Sequence, residues 1–257
     1  MTAAMRLRTV GSSPSVPRPG RACSCYLVRT RDAAIICDLG SGALGNLQLA
    51  IDYPLIDAVV VSHMHADHFI DVIALRYGLT YGPLVRKDRM PIWLPPGGSA
   101  LLRKLCSVFV REGKGDFLDG VFLLREYDPS EPLEINDLRL TFRPTVHYIE
   151  AYSIRADCGP SSVTYSGDTA PCAGVVEHAR GCSLFLCEAT LGLGTEEGVR
   201  GHSSAREAGE MARLAGVGQL ALTHYGSAHA PGELVEAAQS TFAGPVCVVD
   251  DGLELSV

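Results

Sequence analysis

No run in this chain approaches the ~18 consecutive apolar residues that a membrane-spanning helix needs. Basic Arg6 and Arg8 are followed by no hydrophobic stretch, so a secretory signal is not expected. Positive charge is in deficit, with 22 Lys and Arg against 29 Asp and Glu, a formal charge of -7. Nucleic-acid backbones are gripped by Lys and Arg, so this balance argues against tight, sequence-independent binding to them. The nine cysteines include no Cys-x-x-Cys pair. Four of them (Cys37, Cys158, Cys187, Cys247) lie in apolar, strand-like surroundings. They read as small buried hydrophobes in a reducing compartment, which places the protein in the cytoplasm. Low-complexity linkers and short repeats are absent too, and one domain over residues 1–257 is expected. What remains is ordinary: 47 % apolar and 20 % charged residues, enough for a sizeable core.

Strand signals fall at Leu7–Val10, Ser24–Arg29, Ala33–Cys37, Ala58–Ser62, Ile92–Leu94, Val121–Glu126 and Leu138–Pro144. Further ones lie at Tyr152–Ala156, Val163–Ser166, Leu184–Cys187, Gln219–Thr223 and Val246–Val249. Helical spacing is found at Leu44–Asp52, Phe69–Tyr77, Ser99–Arg111, Ser203–Ala215 and Pro231–Phe242. Ser204-Ala205-Arg206-Glu207 fits a capping box. The Pro/Ser/Gly-rich segment Gly11–Gly20 reads as a loop. Hairpin-like strands followed by strand–helix alternation, twice over, predict an α/β (α+β) arrangement. Two β-rich halves pack together with helices outside.

The densest chemistry sits in His63-Met64-His65-Ala66-Asp67-His68, directly after the β-branched run Val59-Val60-Val61. Burying several unpaired polar groups together costs kilocalories, whereas imidazole and carboxylate are ligands that zinc, manganese and iron share. A metal centre at the end of a buried strand is expected. His147, His202 and His224 also follow apolar runs, and Asp168 ends a strand at a glycine turn. Each of these alone would more often be structural. His229 reads as a surface-loop residue close to a cleft, and His178 as a helix-surface residue. Seven basic residues lie between Arg86 and Lys114 (Arg86, Lys87, Arg89, Arg103, Lys104, Arg111, Lys114), against Asp88 and Glu112. This is either a solvated surface or a phosphate-attracting rim. Tyr77, Tyr81 and Trp93 border it, and residues 78–115 are the candidate lid.

With His147, Asp168 and His224 downstream, the hexapeptide resembles the metallo-β-lactamase superfamily of dinuclear hydrolases. The likeness takes in Val10-Gly11-Ser12-Ser13 and Cys37-Asp38-Leu39-Gly40-Ser41-Gly42. It implies the metallo-β-lactamase fold, a four-layer αβ/βα sandwich. It further implies two divalent ions, zinc first, with manganese or iron as alternatives. His63, His65 and His147 would hold one ion; Asp67, His68 and His224 the other; and Asp168 would bridge them. Cys187-Glu188-Ala189-Thr190 and Gly201-His202-Ser203-Ser204 look like the paired Glu and His motifs of ribonuclease Z-like phosphodiesterases. By that likeness His202 protonates the leaving group, Glu188 orients it, and Asp67 orients or deprotonates the attacking water.

The chain departs from the RNA-processing members in three places. Positions 148–167 leave room for a turn and two strands but no protruding arm. The loop Pro14–Arg21 lacks a Lys-x-Arg-Asn run, and Cys187 stands where those enzymes usually place a histidine. With the net acidity, these departures favour a small phosphodiester, a 3′,5′-cyclic nucleotide first, as substrate. Transfer RNA 3′-end processing, with nucleic acid as the partner, is the second reading, and lactone or thioester hydrolysis the third. No membrane partner is expected, and the resemblance suggests a homodimer.

Overall fold

The two faces of strand Ala58–Val60 show how the chain layers itself. The computed structural model describes residues 5–110 and 115–257. In β4 (Ala58–Val60) and the residue after it, Val59 and Val61 join one apolar cluster while Ala58 and Val60 join another. Both faces are buried, so the run is continuously apolar rather than alternating. The same holds across the molecule, where Leu184 and Leu186 face one cluster and Phe185 and Cys187 a third.

Two seven-stranded sheets result. The first has the order β14-β1-β2-β3-β4-β5-β6, with β1 (Arg6–Gly11), β2 (Cys25–Arg29), β3 (Ala34–Cys37), β5 (Met90–Leu94), β6 (Phe122–Glu126) and β14 (Glu254–Ser256). The second runs β13-β12-β11-β10-β9-β8-β7. Its members are β7 (Leu133–Ile135), β8 (Leu138–Pro144), β9 (Tyr152–Cys158), β10 (Ser161–Tyr165), β11 (Leu184–Glu188), β12 (Gln219–Thr223) and β13 (Val246–Val248). The central apolar cluster draws on both sheets, from Leu7, Ile35 and Val60 on one to Leu140, Ile154 and Leu186 on the other. Helices α1 (Ala43–Leu47), α2 (Ala66–Phe69), α3 (Val72–Tyr81) and α4 (Gly98–Cys106) belong to the first half. Helices α5 (Ala173–His178), α6 (Ala205–Ala215) and α7 (Pro231–Gln239) belong to the second. The mixed α/β, two-sheet architecture is the one expected.

The parallel ladders β3–β4–β5–β6 and β10–β11–β12–β13 bring several strand C-termini to one edge of the sandwich. Loops after β3, β4, β8, β10, β11 and β12 carry Asp38, His63, His147, Asp168, Glu188 at the strand tip, and His224. The capping box of α6 is present, with Ser204 and Glu207 exchanging side-chain and backbone hydrogen bonds.

Several expectations need correction. The helix expected over Phe69–Tyr77 is two helices, α2 and α3, and the one expected over Leu44–Asp52 is only Ala43–Leu47. Strands β7 and β14 and helix α5 are additional. The two strands are three-residue edge strands with no fully buried position, so they write no apolar run, and the helix spans six residues, under two turns. His178 is not on the surface: it is 7 % exposed, with Nδ1 2.7 Å from Ser153 Oγ and Nε2 3.0 Å from Thr141 Oγ1. Burial, reinforced by nearby Arg143 and Arg155, pushes its pKa down to about 3, so it is a neutral pin between α5 and the second sheet.

Part of the basic stretch is spent on the protein itself. Arg86 donates to the carbonyls of Pro54, Ile56 and Asp88, and Arg103 pairs with Asp116 and Asp119. Arg111, Glu112 and Lys114, with the last residue of the helix expected over Ser99–Arg111, lie outside the described residues. Among the described residues, no helix is long and apolar enough to cross a membrane.

Candidate metal centre

The hexapeptide after β4 does not continue as a strand. His63 bridges to Ala151, and the chain then turns into α2 with Asp67 in its first turn and His68 in its last. A close backbone approach makes this turn feasible. A Cβ on Gly40 would lie 1.9 Å from the Asp67 carbonyl oxygen, so only glycine lets the loop after β3 pass beneath Asp67. Leu39 N donates to the His68 carbonyl at 2.7 Å in the same crossing.

Two groups of side chains converge across the sheet edge. The first is His63, His65, His147 and Asp168; the second is Asp67, His68, Asp168 and His224. Within each, one ligating atom per residue lies within 4.8 Å of the others. His65 Nδ1 is 3.1 Å from His63 Nε2 and 3.0 Å from His147 Nε2. Asp168 Oδ2 is 3.8 Å from each of those Nε2 atoms. In the second group Asp67 Oδ2 is 3.4 Å from both His68 Nε2 and His224 Nε2. The other oxygen of Asp168, Oδ1, is 3.5 Å from His68 Nε2 and 3.6 Å from His224 Nε2. Asp168 thus presents one oxygen to each group.

The opposite edge of four rings is fixed. Asp38 accepts from His68 Nδ1 at 2.7 Å, and the Gly201 carbonyl from His147 Nδ1 at 2.8 Å. Ser62 Oγ, itself donating to Asp38, lies 3.0 Å from His63 Nδ1. Thr190 Oγ1 donates to Glu188 at 2.5 Å and sits 2.8 Å from His224 Nδ1. With Nδ1–H committed outward, each Nε2 turns a lone pair inward. Convergent lone pairs about 3 Å apart repel unless a cation lies between them. Nitrogens ~2.0–2.1 Å from a tetrahedral ion stand at much this separation from one another.

The burial is decisive. His63 and His68 are fully buried, His224 is 1 % and Asp168 2 % exposed. Yet His68 Nε2 and Asp168 Oδ1 have no hydrogen-bond partner. A buried unpartnered nitrogen and oxygen, both facing the same point, are costly without a ligand. Burial pushes the His63 pKa well down and favours the neutral, ligating ring. Burial also opposes ionisation of Asp168, but positive charge at the His224 and His68 positions outweighs it and keeps the carboxylate charged, a charge that a dication held between them would equally supply. The residues present fit dications at both groups.

Next to the second group lies a different pair. Glu188 is fully buried at the tip of β11 and accepts from Thr169 N, Thr190 N, Thr190 Oγ1 and His202 Nδ1. The His202 contact is 2.9 Å. Burial lowers the His202 pKa, but the bond to Glu188 and its charge prevail and raise it to about 9. Cys187 points the other way, into the helix-side cluster, and takes no part in the site.

Asp38 was not singled out by sequence as a site residue. Fully buried, it accepts from Ser62 N, Ser62 Oγ, His68 Nδ1 and Tyr165 Oη. The signal was present: an acid directly follows a strand buried on both faces. Asp38 and His224 also adopt positive φ, 59° and 53°, a strained geometry for residues with side chains that the surrounding bonds must hold. Asp38→Asn is expected to weaken metal affinity about 10–100-fold, by freeing the His68 ring. Titration against a competing chelator reads this, and unchanged affinity would remove Asp38 from the account.

A fold of two sheets between helices, with His/Asp clusters at one edge, defines a metal-dependent hydrolase centre. The β-lactamase superfamily domain matches residues 35–225, and the chain belongs to that superfamily. It is a metallo-hydrolase, with a His/Asp cluster suited to binding metal ions. Among similar proteins, ML1173 of Mycobacterium leprae is 33 % identical over 96 % of this chain and 87 % of its own length. "Probable metallo-hydrolase YhfI" of Bacillus subtilis is 27 % identical over 96 % of this chain and 98 % of its own. The crystal structure of YhfI covers 99 % of this chain and all of its own, at 25 % identity and a TM-score of 0.88. "Ribonuclease Z" of Methanothermobacter thermautotrophicus is 27 % identical over 97 % of this chain and 95 % of its own.

Proposed function

We propose that the protein is a dinuclear phosphodiesterase acting on small phosphodiesters, with a 3′,5′-cyclic nucleotide as the leading substrate. The observation that carries this reading is the Glu188–His202 pair beside the double cluster. Alkoxide is a poor leaving group, and a positioned imidazolium is the acid that its departure needs. Similarity to a protein named ribonuclease Z supports phosphodiester chemistry. The turn of residues 148–151 and the plain β9–β10 hairpin, with no arm to grip a folded RNA, support a small substrate.

His63, His65 and His147 would hold one ion, Asp67, His68 and His224 the other, and Asp168 both. When bound, such ions activate water at neutral pH and neutralise charge building on the phosphoryl oxygens; zinc, manganese and iron all suit the donor set. The chain's own residues do the rest. Asp67 sits at the mouth, its side chain 12 % exposed, and orients the attacking water and accepts its proton. His202, held through Nδ1, passes the proton on Nε2 to the leaving oxygen as the water oxygen bonds to phosphorus and the P–O ester bond breaks.

Purified, metal-loaded protein should turn over cyclic AMP and bis(p-nitrophenyl) phosphate and leave a precursor transfer RNA uncut. RNA processing without cyclic-nucleotide turnover would overturn the substrate, and activity confined to lactones or thioesters would overturn the phosphodiesterase reading.

The pH profile offers a second check. The acid works protonated, so the rate falls as pH rises through the His202 pKa. Glu188 is what holds that pKa up against burial. In Glu188→Gln burial wins, and the basic limb of kcat should move down by at least one pH unit on a scale where one unit is about 1.4 kcal/mol. An unmoved limb would show that another group supplies the proton.

A further inference from the structure

Beyond the double cluster and the Glu188–His202 pair, one wall of the mouth is built from side chains that no step so far uses. Tyr148 leads the turn after His147, and its ring centroid lies 5.0 Å from that of His147 and 5.7 Å from that of His202. Although it packs on both, it remains 49 % exposed, and Ile149 beside it is 38 % exposed. A large aromatic face kept open next to the acid is unusual, since such rings ordinarily bury most of their area. The approach is also close: a Cβ on Gly201 would lie 2.6 Å from the Tyr148 ring, so glycine at 201 is what lets the ring lie there.

Glu196 locks the arrangement from the other side. It accepts from the Tyr148 hydroxyl, from Gly201 N at 2.9 Å and from His202 N at 3.4 Å. One carboxylate therefore ties the ring, the glycine and the backbone of the acid together. The neighbouring cation does not offset its charge, because Arg200 is paired with Glu207 through both carboxylate oxygens at 2.8 and 2.9 Å. The wall nearest His202 is thus flat and apolar at Tyr148 and anionic at Glu196.

We infer that Tyr148 and Glu196 select the leaving alcohol, favouring one with a flat, uncharged face and rejecting one that carries a further anionic group. The inference rests on the phosphodiesterase reading, because it needs His202 on the leaving-group side. A flat ring stacks on Tyr148 with the scissile oxygen toward His202. A second phosphate or carboxylate there is brought toward the Glu196 carboxylate, and like charges repel. A cyclic nucleotide fits this wall: one ribose oxygen departs from phosphorus beside His202 with its base against Tyr148, while the sugar stays joined to the phosphate through the other ester oxygen. A polynucleotide with successive phosphates does not fit.

Two aryl methyl phosphodiesters differing only in the para group of the leaving phenol, 4-carbamoyl or 4-carboxylate, test it. The ratio of their kcat/KM values is taken in the wild type and in each variant, so that intrinsic reactivity cancels. Glu196→Gln should narrow the preference for the carbamoyl ester about tenfold, a change of about 1.4 kcal/mol. Tyr148→Ala should raise KM for both aryl esters with a smaller change in kcat, and Tyr148→Phe should restore KM. An unchanged ratio in Glu196→Gln, or an equal loss of kcat in the Ala and Phe variants, would overturn the selectivity and leave the phosphodiesterase intact. No turnover of either ester by the metal-loaded wild type would overturn both.

Discussion

His202→Ala should lower kcat for cyclic AMP by about 10²–10⁴-fold, the usual worth of a positioned general acid. The same variant should lose far less against bis(p-nitrophenyl) phosphate, whose leaving group departs without a proton. The contrast is the prediction, because it separates acid catalysis from damage to the site. Bound metal should stay at the wild-type level, since His202 is bonded to Glu188 through Nδ1. Equal losses on both substrates would make His202 a structural residue. Unimpaired activity on both would point to chemistry with a good leaving group, such as acyl transfer.

Asp168→Ala should cost more. The residue is buried, approaches His63, His147, His68 and His224 within 4 Å, and divides its two oxygens between the clusters. Its loss removes an anion from each cluster at once and leaves five imidazoles and Asp67 facing one another. Several kilocalories of transition-state stabilisation correspond to at least about 10³-fold in rate, and metal binding should weaken together with activity. Metal content and turnover measured on the same preparation decide it, with circular dichroism confirming that the variant folds. A folded Asp168→Ala protein with full metal and full activity would contradict the proposed ligand set.

The sequence displayed the ligand-type residues but not what orients them. His63-Met64-His65-Ala66-Asp67-His68 is legible because three imidazoles and a carboxylate in six positions have no reason to sit in a core. Strands buried on both faces were legible for a related reason: they write continuous apolar runs, as in Val59-Val60-Val61 and Leu184-Phe185-Leu186. Thr190 escaped because its importance lies in a hydrogen bond to a distant histidine that no spacing encodes; Asp38, though its place directly after a buried strand was visible, gathers its four hydrogen bonds only in the folded chain. His178 was misplaced because a short helix with one polar residue looks the same whether that residue faces water or a pair of buried hydroxyls. Tyr148 and Glu196 are 48 residues apart, and only the folded chain brings them together over Gly201.

Metal titration of the apoprotein tests the central claim most directly. Zinc or manganese is added back in steps while bound ions are counted and cyclic AMP hydrolysis is followed. The two clusters sharing Asp168 predict two ions per chain at saturation, with hydrolysis appearing as the sites fill. A folded chain that hydrolyses at its full rate with no bound metal, or that binds two ions and cleaves no phosphodiester, would contradict the account.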